Sequence, residues 1–72
     1  MQTSVLVFKT NINTLEKLQK VDSALSQRAE IVKWNVDLDD CDKVLRIETN
    51  LLKTNSVMEM MRSQEIYCEE LL

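Results

Sequence analysis

Seventy-two residues suffice for one domain with a thin core, because a chain this short buries only ~60% of its unfolded surface. Nine basic against twelve acidic residues give a net charge of −3 with no basic cluster to replace counterions, so nucleic acid is not an expected partner. Glycine, proline and histidine are absent, which excludes glycine-rich phosphate loops and removes the commonest general base and metal ligand at neutral pH.

Without glycine or proline, turns must be built from Asn, Asp and Ser, which tolerate left-handed backbone and bond their own main chain. Asn11, Asn13, Asp39, Asp40, Asp42, Asn50 and Asn55 sit where the breaks fall. Two cysteines cannot form a disulfide framework. No apolar run reaches bilayer length, and MQTSVLVFK lacks the basic region and cleavage site of a signal peptide. A cytoplasmic location without a membrane partner is the expectation.

The first strand is predicted over residues 4–9, with Leu6 and Phe8 toward the core and Val5 and Val7 on the other face. A helix follows Asn13, where Asn13-x-x-Glu16 has the form of a capping box. Leu15, Leu18, Val21, Ala24 and Leu25 make its apolar stripe, which ends near Gln27, and Glu16 and Lys20 form an i, i+4 pair on the wet side. Residues 31–49, IVKWNVDLDDCDKVLRIET, alternate with period two on both sides of an acidic break. Trp34, Val36 and Leu38 face one way, then Leu45 and Ile47, opposed by Val44, Arg46 and Glu48. The short break makes this an antiparallel hairpin. A second helix is capped by Asn55 or Ser56, the latter in the box Ser56-x-x-Glu59, with Val57, Met60 and Met61 on one face. The last strand is predicted over residues 66–71, Ile66 and Cys68 opposite in direction to Tyr67, Glu69 and Leu71. No linker or internal repeat is apparent.

The order βαββαβ with right-handed crossovers gives an α+β, ferredoxin-like sandwich. Its four-stranded antiparallel sheet has the order 4-1-3-2, with both helices on one face. Three connections then gather at one end of the sheet. They are the loop into the first helix, the hairpin turn around Cys41, and the loop into the last strand.

Ile31, Trp34, Val36, Asp37 and Leu38, then Leu45 and Ile47, fit a hairpin ending in Asp-Leu with an apolar return strand. Val21, Asp22 and Leu25 fit a first-helix Val-Glu-x-x-Leu, and Glu65, Ile66, Tyr67, Cys68 and Glu69 fit a closing Gly-aromatic-x-Ala-Glu. On these residues the chain resembles the heavy-metal-associated domain of small copper chaperones and metal-pumping ATPases, over nearly its whole length. The resemblance implies a single domain over residues 1–72. That family carries Met-x-Cys-x-x-Cys before its first helix, where two thiolates clamp a soft ion such as Cu(I). Laid on through Val21, the motif falls on Ile12-Asn13-Thr14-Leu15-Glu16-Lys17. Ile12 keeps an apolar residue at the methionine position, whereas Thr14 and Lys17 stand at the cysteine positions. The resemblance therefore implies a degenerate ion loop with no metal ligand carried over. Lys17 puts a positive charge where the cation would sit, and an ion pair with Glu65 across the loop is the expected substitute.

Cys41 at the hairpin tip and Cys68 on the far edge strand lie two to three strand spacings apart, roughly 10–12 Å. A shared ion would need each sulfur ~2.3 Å from the metal. Cys68 reads as a small buried hydrophobe, and Cys41 is a weak metal candidate through a second chain. Asp37, Asp39, Asp40 and Asp42 lack the glycine and terminal glutamate of an EF-hand loop and read as a solvated turn. Met58, Met60 and Met61 could suggest thioether binding of copper, but at helical spacing from Val57 two of them read as core filler. On the sheet face without helices, Val5, Val7, Tyr67 and Leu71 form a candidate interface.

No nucleophile–base pair, carboxylate dyad or cofactor loop is visible, so neither an enzyme nor a cofactor is expected. The expectation is a small non-enzymatic protein acting through protein contacts, as a homodimer or with an unidentified partner. The alternatives are a soft-metal (Cu or Zn) binding or transport protein using Cys41 across a dimer, and a small-molecule sensor.

Overall fold

The computed structural model describes residues 3–71. Six elements follow in the order β1 (Ser4–Thr10), α1 (Leu15–Ser26), β2 (Ile31–Asp37), β3 (Val44–Thr49), α2 (Thr54–Ser63) and β4 (Cys68–Glu70). The strands form one antiparallel sheet in the order β2-β3-β1-β4, which is 4-1-3-2 read from the other edge. Register follows from the alternation. Leu6 pairs with Ile47 and Phe8 with Leu45, while Trp34 and Val36 oppose Ile47 and Leu45 from β2. Each apolar set therefore lands on one face. Val21 and Leu25 of α1 and Val57 and Met61 of α2 cover that face, fully buried against Phe8, Leu45 and Ile47.

The topology consists of two βαβ halves, and a short sequence echo marks both. Thr10-Asn11 and Thr49-Asn50 leave the first strand of each half, and Ser26-Gln27 and Ser63-Gln64 end each helix. No repeat was expected, because the two halves share only these dipeptides and not a run. Thr10 and Thr49 are the buried polar residues of the described chain. Thr10 Oγ1 donates to Lys43 O at 2.6 Å and accepts from Ile12 N at 3.2 Å. Thr49 Oγ1 donates to Glu30 O at 2.7 Å and accepts from Leu52 N at 3.1 Å. Each hydroxyl satisfies main-chain groups that burial would otherwise leave unpaired.

Local chemistry shifts several predicted boundaries. α1 begins at Leu15, so the cap is Thr14, whose hydroxyl accepts from Lys17 N at 3.1 Å, in place of the Asn13–Glu16 box. Leu15 consequently points outward, 69% exposed, and leaves the stripe to Leu18, Val21, Ala24 and Leu25. α2 starts at Thr54, before the predicted caps, because the Thr49 hydroxyl turns the chain at Leu52; Lys53 is the N-cap and its side chain makes no cap bond. The Glu16–Lys20 pair forms at 4.0 Å. β1 extends one residue to Thr10, whereas β4 shrinks to Cys68–Glu70. Ile66 N is spent on Met61 O at 2.9 Å and Tyr67 N on Asn11 Oδ1 at 3.0 Å, so neither joins the ladder. Leu38 falls in the turn, exposed, and Val44 is buried on the face opposite Leu45.

Among the described residues, the left-handed positions go to neither Asn nor Asp. They are Lys43 (φ 44°) and Glu65 (φ 59°). Glu65 closes α2 in a Schellman motif: Ile66 N bonds Met61 O and Glu65 N bonds Arg62 O, both at 2.9 Å. Ile66 and Met61, the hydrophobic pair that accompanies this motif, are both buried in the core.

Candidate functional site

Three loops meet at one end of the sheet, as the topology predicts. Thr10 N donates to Asp42 O at 2.9 Å, and the Thr10 hydroxyl holds Lys43 O, which ties the β1–α1 loop to the hairpin turn. The Asn11 side chain holds Tyr67 N, which ties in the loop leaving α2. Ile12 is fully buried between them and anchors the loop to the core. The loop's polar atoms then converge on Lys17. Its Nζ donates to Asn11 O at 3.2 Å and to Asn13 Oδ1 at 3.3 Å, while Asn13 N donates to Asn11 O at 2.8 Å. The Asn11 carbonyl uses both lone pairs in this arrangement. The ammonium is therefore held by its own loop and not by Glu65. The expected Lys17–Glu65 pair is absent among the described residues, because the loop carbonyl and Asn13 lie closer to the lysine, one turn back along the chain.

The hairpin turn spends two of its carboxylates, those of Asp37 and Asp40, on its own backbone. Asp37 Oδ1 accepts from Asp39 N at 3.2 Å, Asp40 Oδ1 accepts from Asp42 N at 2.8 Å, and Asp42 lies 3.7 Å from Lys9 Nζ. These Asx-type bonds explain the acidic cluster as turn chemistry. Cys41 stands exposed between Asp40 and Asp42, with the three ligand atoms within 4.8 Å of one another. Between the turn and the start of α1 lies an open hollow of about 240 Å³, lined by Ile12, Leu15, Leu18, Leu38 and Lys43 among others.

Cys68 is half-buried near Met58 and Ile66, and its burial pushes the thiol up to about 11. It pairs with Thr10, whose main-chain N bonds Asp42 O, so Cys68 lies at the same end of the sheet as Cys41 with the width of β1 between them. Met61 is fully buried and Met58 and Met60 partly so, all packed into the core. On the open face, Leu71 N bonds Val7 O at 2.9 Å, which brings Val7 and Leu71 together, with Val5 further along β1. Tyr67 is not brought to them. Lys9 and Glu69 lie between, and the Tyr67 phenol donates to Glu69, a bond that raises its pKa. The features missed in the sequence are the two buried threonine hydroxyls and the Lys17 seat; the doubled Thr-Asn was the available signal.

This sheet order, with two helices packed on one face, defines a ferredoxin-like domain with the fold of heavy-metal-associated domains. Over 99% of its length the chain superposes, with a TM-score of 0.82 and 15% identity, on 69% of a solved chain described as the apo form of the HMA domain of copper chaperone for superoxide dismutase. At that identity the likeness is one of fold. No protein-family model matches the sequence, and no curated protein matches it. Among the described residues, no helix is long and apolar enough to cross a membrane.

Proposed function

We propose that this chain is a non-enzymatic contact domain on a heavy-metal-associated fold, in which the loop that would clamp an ion is closed by a tethered cation. The observation that carries it is the Lys17 ammonium, seated on Asn11 O and Asn13 Oδ1 at the end of the sheet where the three loops meet. Thr14 and Lys17 stand where the resemblance puts two cysteines, and neither side chain offers a thiolate. A second cation in this loop would meet the ammonium's charge in a partly desolvated place. Function then passes to surfaces, with the open sheet face around Val5, Val7 and Leu71 and the loop-end hollow as the contact regions, and a second copy or another protein as partner.

A second reading rests on the grouping of Asp40, Cys41 and Asp42. It makes the chain a soft-metal (Cu or Zn) binding or transport protein that uses Cys41 from two chains. Native mass spectrometry after incubation with Cu(I) separates the two. The expected result is no stoichiometric copper on the wild-type chain, and one Cu(I) per chain on the double variant Thr14→Cys/Lys17→Cys. A tight copper complex of the wild type that vanishes on Cys41→Ser would overturn the proposal in favour of the second reading.

A further inference from the structure

β2 is an outer strand of the sheet, and its far edge has no neighbour among the described residues. A row of unpaired main-chain donors and acceptors on such an edge is a template for another strand. The β2–β3 register shifts between Ile31 and Lys33, which leaves residues 33–37 as the regular part of the strand. Within it, Lys33, Asn35 and Asp37 lie on the open face and are exposed. Trp34 and Val36 lie on the helix side and are only half-buried, although they pair with Ile47 and Leu45, which are fully buried.

This stretch, Lys33-Trp34-Asn35-Val36-Asp37, is complementary to its own reverse. A two-fold axis through Asn35 sets Lys33 of one copy against Asp37 of the other, twice, and Trp34 against Val36, twice. Opposite charges and an aromatic beside a β-branched residue are both favourable cross-strand pairs. The neighbouring symmetric registers do not do this. An axis through Trp34 sets Asp37 against Ile31 beyond the bulge, and one through Val36 carries Trp34 to Leu38 in the turn. Lys33 makes no ion pair among the described residues, and Asp37 commits one carboxylate oxygen to Asp39 N. An edge lysine guards against self-pairing when it meets another lysine; here the symmetry brings it a carboxylate.

We propose that a second copy of this chain pairs antiparallel along β2, centred on Asn35, to give a continuous eight-stranded sheet with both helix layers on the same side. The inference rests on the reading of the chain as a contact domain, and it names the partner as the chain itself and the surface as this edge. Five residues from each copy make a small interface, so the dimer is weak and concentration-dependent.

Sedimentation velocity on the full chain tests it, with the emission of Trp34, the one tryptophan, as a second readout. The wild type is expected to shift from monomer to dimer with rising concentration while Trp34 emission moves to the blue. Lys33→Glu alone and Asp37→Lys alone each create like-charge contacts and are expected to weaken association by roughly tenfold or more. An equimolar mixture of the two restores every charge pair and is expected to regain the wild-type dimer. Asn35→Cys in a Cys41→Ser background is expected to form a disulfide dimer on mild oxidation, since the axis sets residue 35 against itself. This arm stands even if Asp37→Lys disturbs the turn. A wild type that stays monomeric, a mixture of folded variants that does not associate, or no cross-link through residue 35 would each overturn the inference. A dimer lost on Val7→Lys but indifferent to Lys33→Glu would overturn it while leaving the contact-domain reading intact, whereas copper uptake lost on Cys41→Ser would sink that reading itself.

Discussion

The two βαβ halves solve one local problem in the same way and then diverge. Each first strand ends in Thr-Asn, and each threonine hydroxyl is buried between a carbonyl of a distant loop and the main chain just ahead. Beyond that point the first half caps its helix with Thr14 and seats Lys17 in its loop. The second half exposes Leu51 and begins its helix on Lys53, whose side chain makes no cap bond. The shared part is what the fold requires. The divergent part is where the first half carries its site, since only that loop is tied to the hairpin turn and to the loop that follows α2.

The sharpest way to break this comparison is to remove each hydroxyl while keeping its shape. Thr49→Val leaves Leu52 N and the longer contact from Leu51 N without an acceptor and Glu30 O with Asn50 N alone, and a loss of ~2–3 kcal/mol is expected in urea unfolding. Thr10→Val strands Lys43 O and Ile12 N, and a loss of about 1–2 kcal/mol is expected. Equal losses would mean that the extra Leu51 contact contributes nothing.

The helix starts should respond in opposite directions. Thr14→Ala removes the α1 cap and should cost ~1 kcal/mol, whereas Lys53→Ser supplies α2 with the hydroxyl it lacks and should raise stability by up to ~1 kcal/mol. Both are read from denaturation midpoints at unchanged slope. No gain from Lys53→Ser would show that the α2 start is already satisfied by water. At the other end of α2, Glu65→Gly removes a side chain from a left-handed position and should stabilise by ~1 kcal/mol, provided the Schellman bonds persist.

The smallest expected effect separates the two thiols. Cys41 is exposed and Cys68 is half-buried with its pKa pushed up to about 11, so alkylation at pH 8 should modify Cys41 well before Cys68. The sign for stability follows. A thiol whose folded pKa lies above the unfolded value of about 9 binds more protons folded than unfolded between those values. Its contribution is complete below pH 9 and declines as pH rises toward 11, so the wild type should lose Tm faster than Cys68→Ala across that window. Parallel pH profiles would mean that burial does not hold the Cys68 proton.

Much of the architecture was legible because periodicity reports burial directly. Phe8, Leu45 and Ile47 alternate on the face they occupy, and Val21 and Leu25 recur at helical spacing and are buried together. Leu15 belongs to the same sequence stripe yet is exposed, because a stripe does not say where the helix begins, and Thr14 took the cap. The site was legible only as a place. Three loops at one end follow from strand order alone, but the fate of Lys17 depended on which acceptor lay nearest. Asn11 O and Asn13 Oδ1 are fixed by a tight local turn, and a sequence does not display main-chain carbonyls as ligands. The open-face group was legible by parity and still incomplete, since Lys9 and Glu69 divide Tyr67 from Val7 and Leu71.

By itself the order of residues determined the element types, the strand order and the faces that meet in the core, because alternation and helical spacing act over a few neighbours. The absence of a cysteine pair in the first loop was equally readable there. Which side chains close the loop and which residues bear the left-handed turns of a chain without glycine were decided in three dimensions. These depend on long-range hydrogen bonds such as Thr10 to Lys43 and Tyr67 to Asn11, 33 and 56 residues apart, which exist only once the sheet has formed.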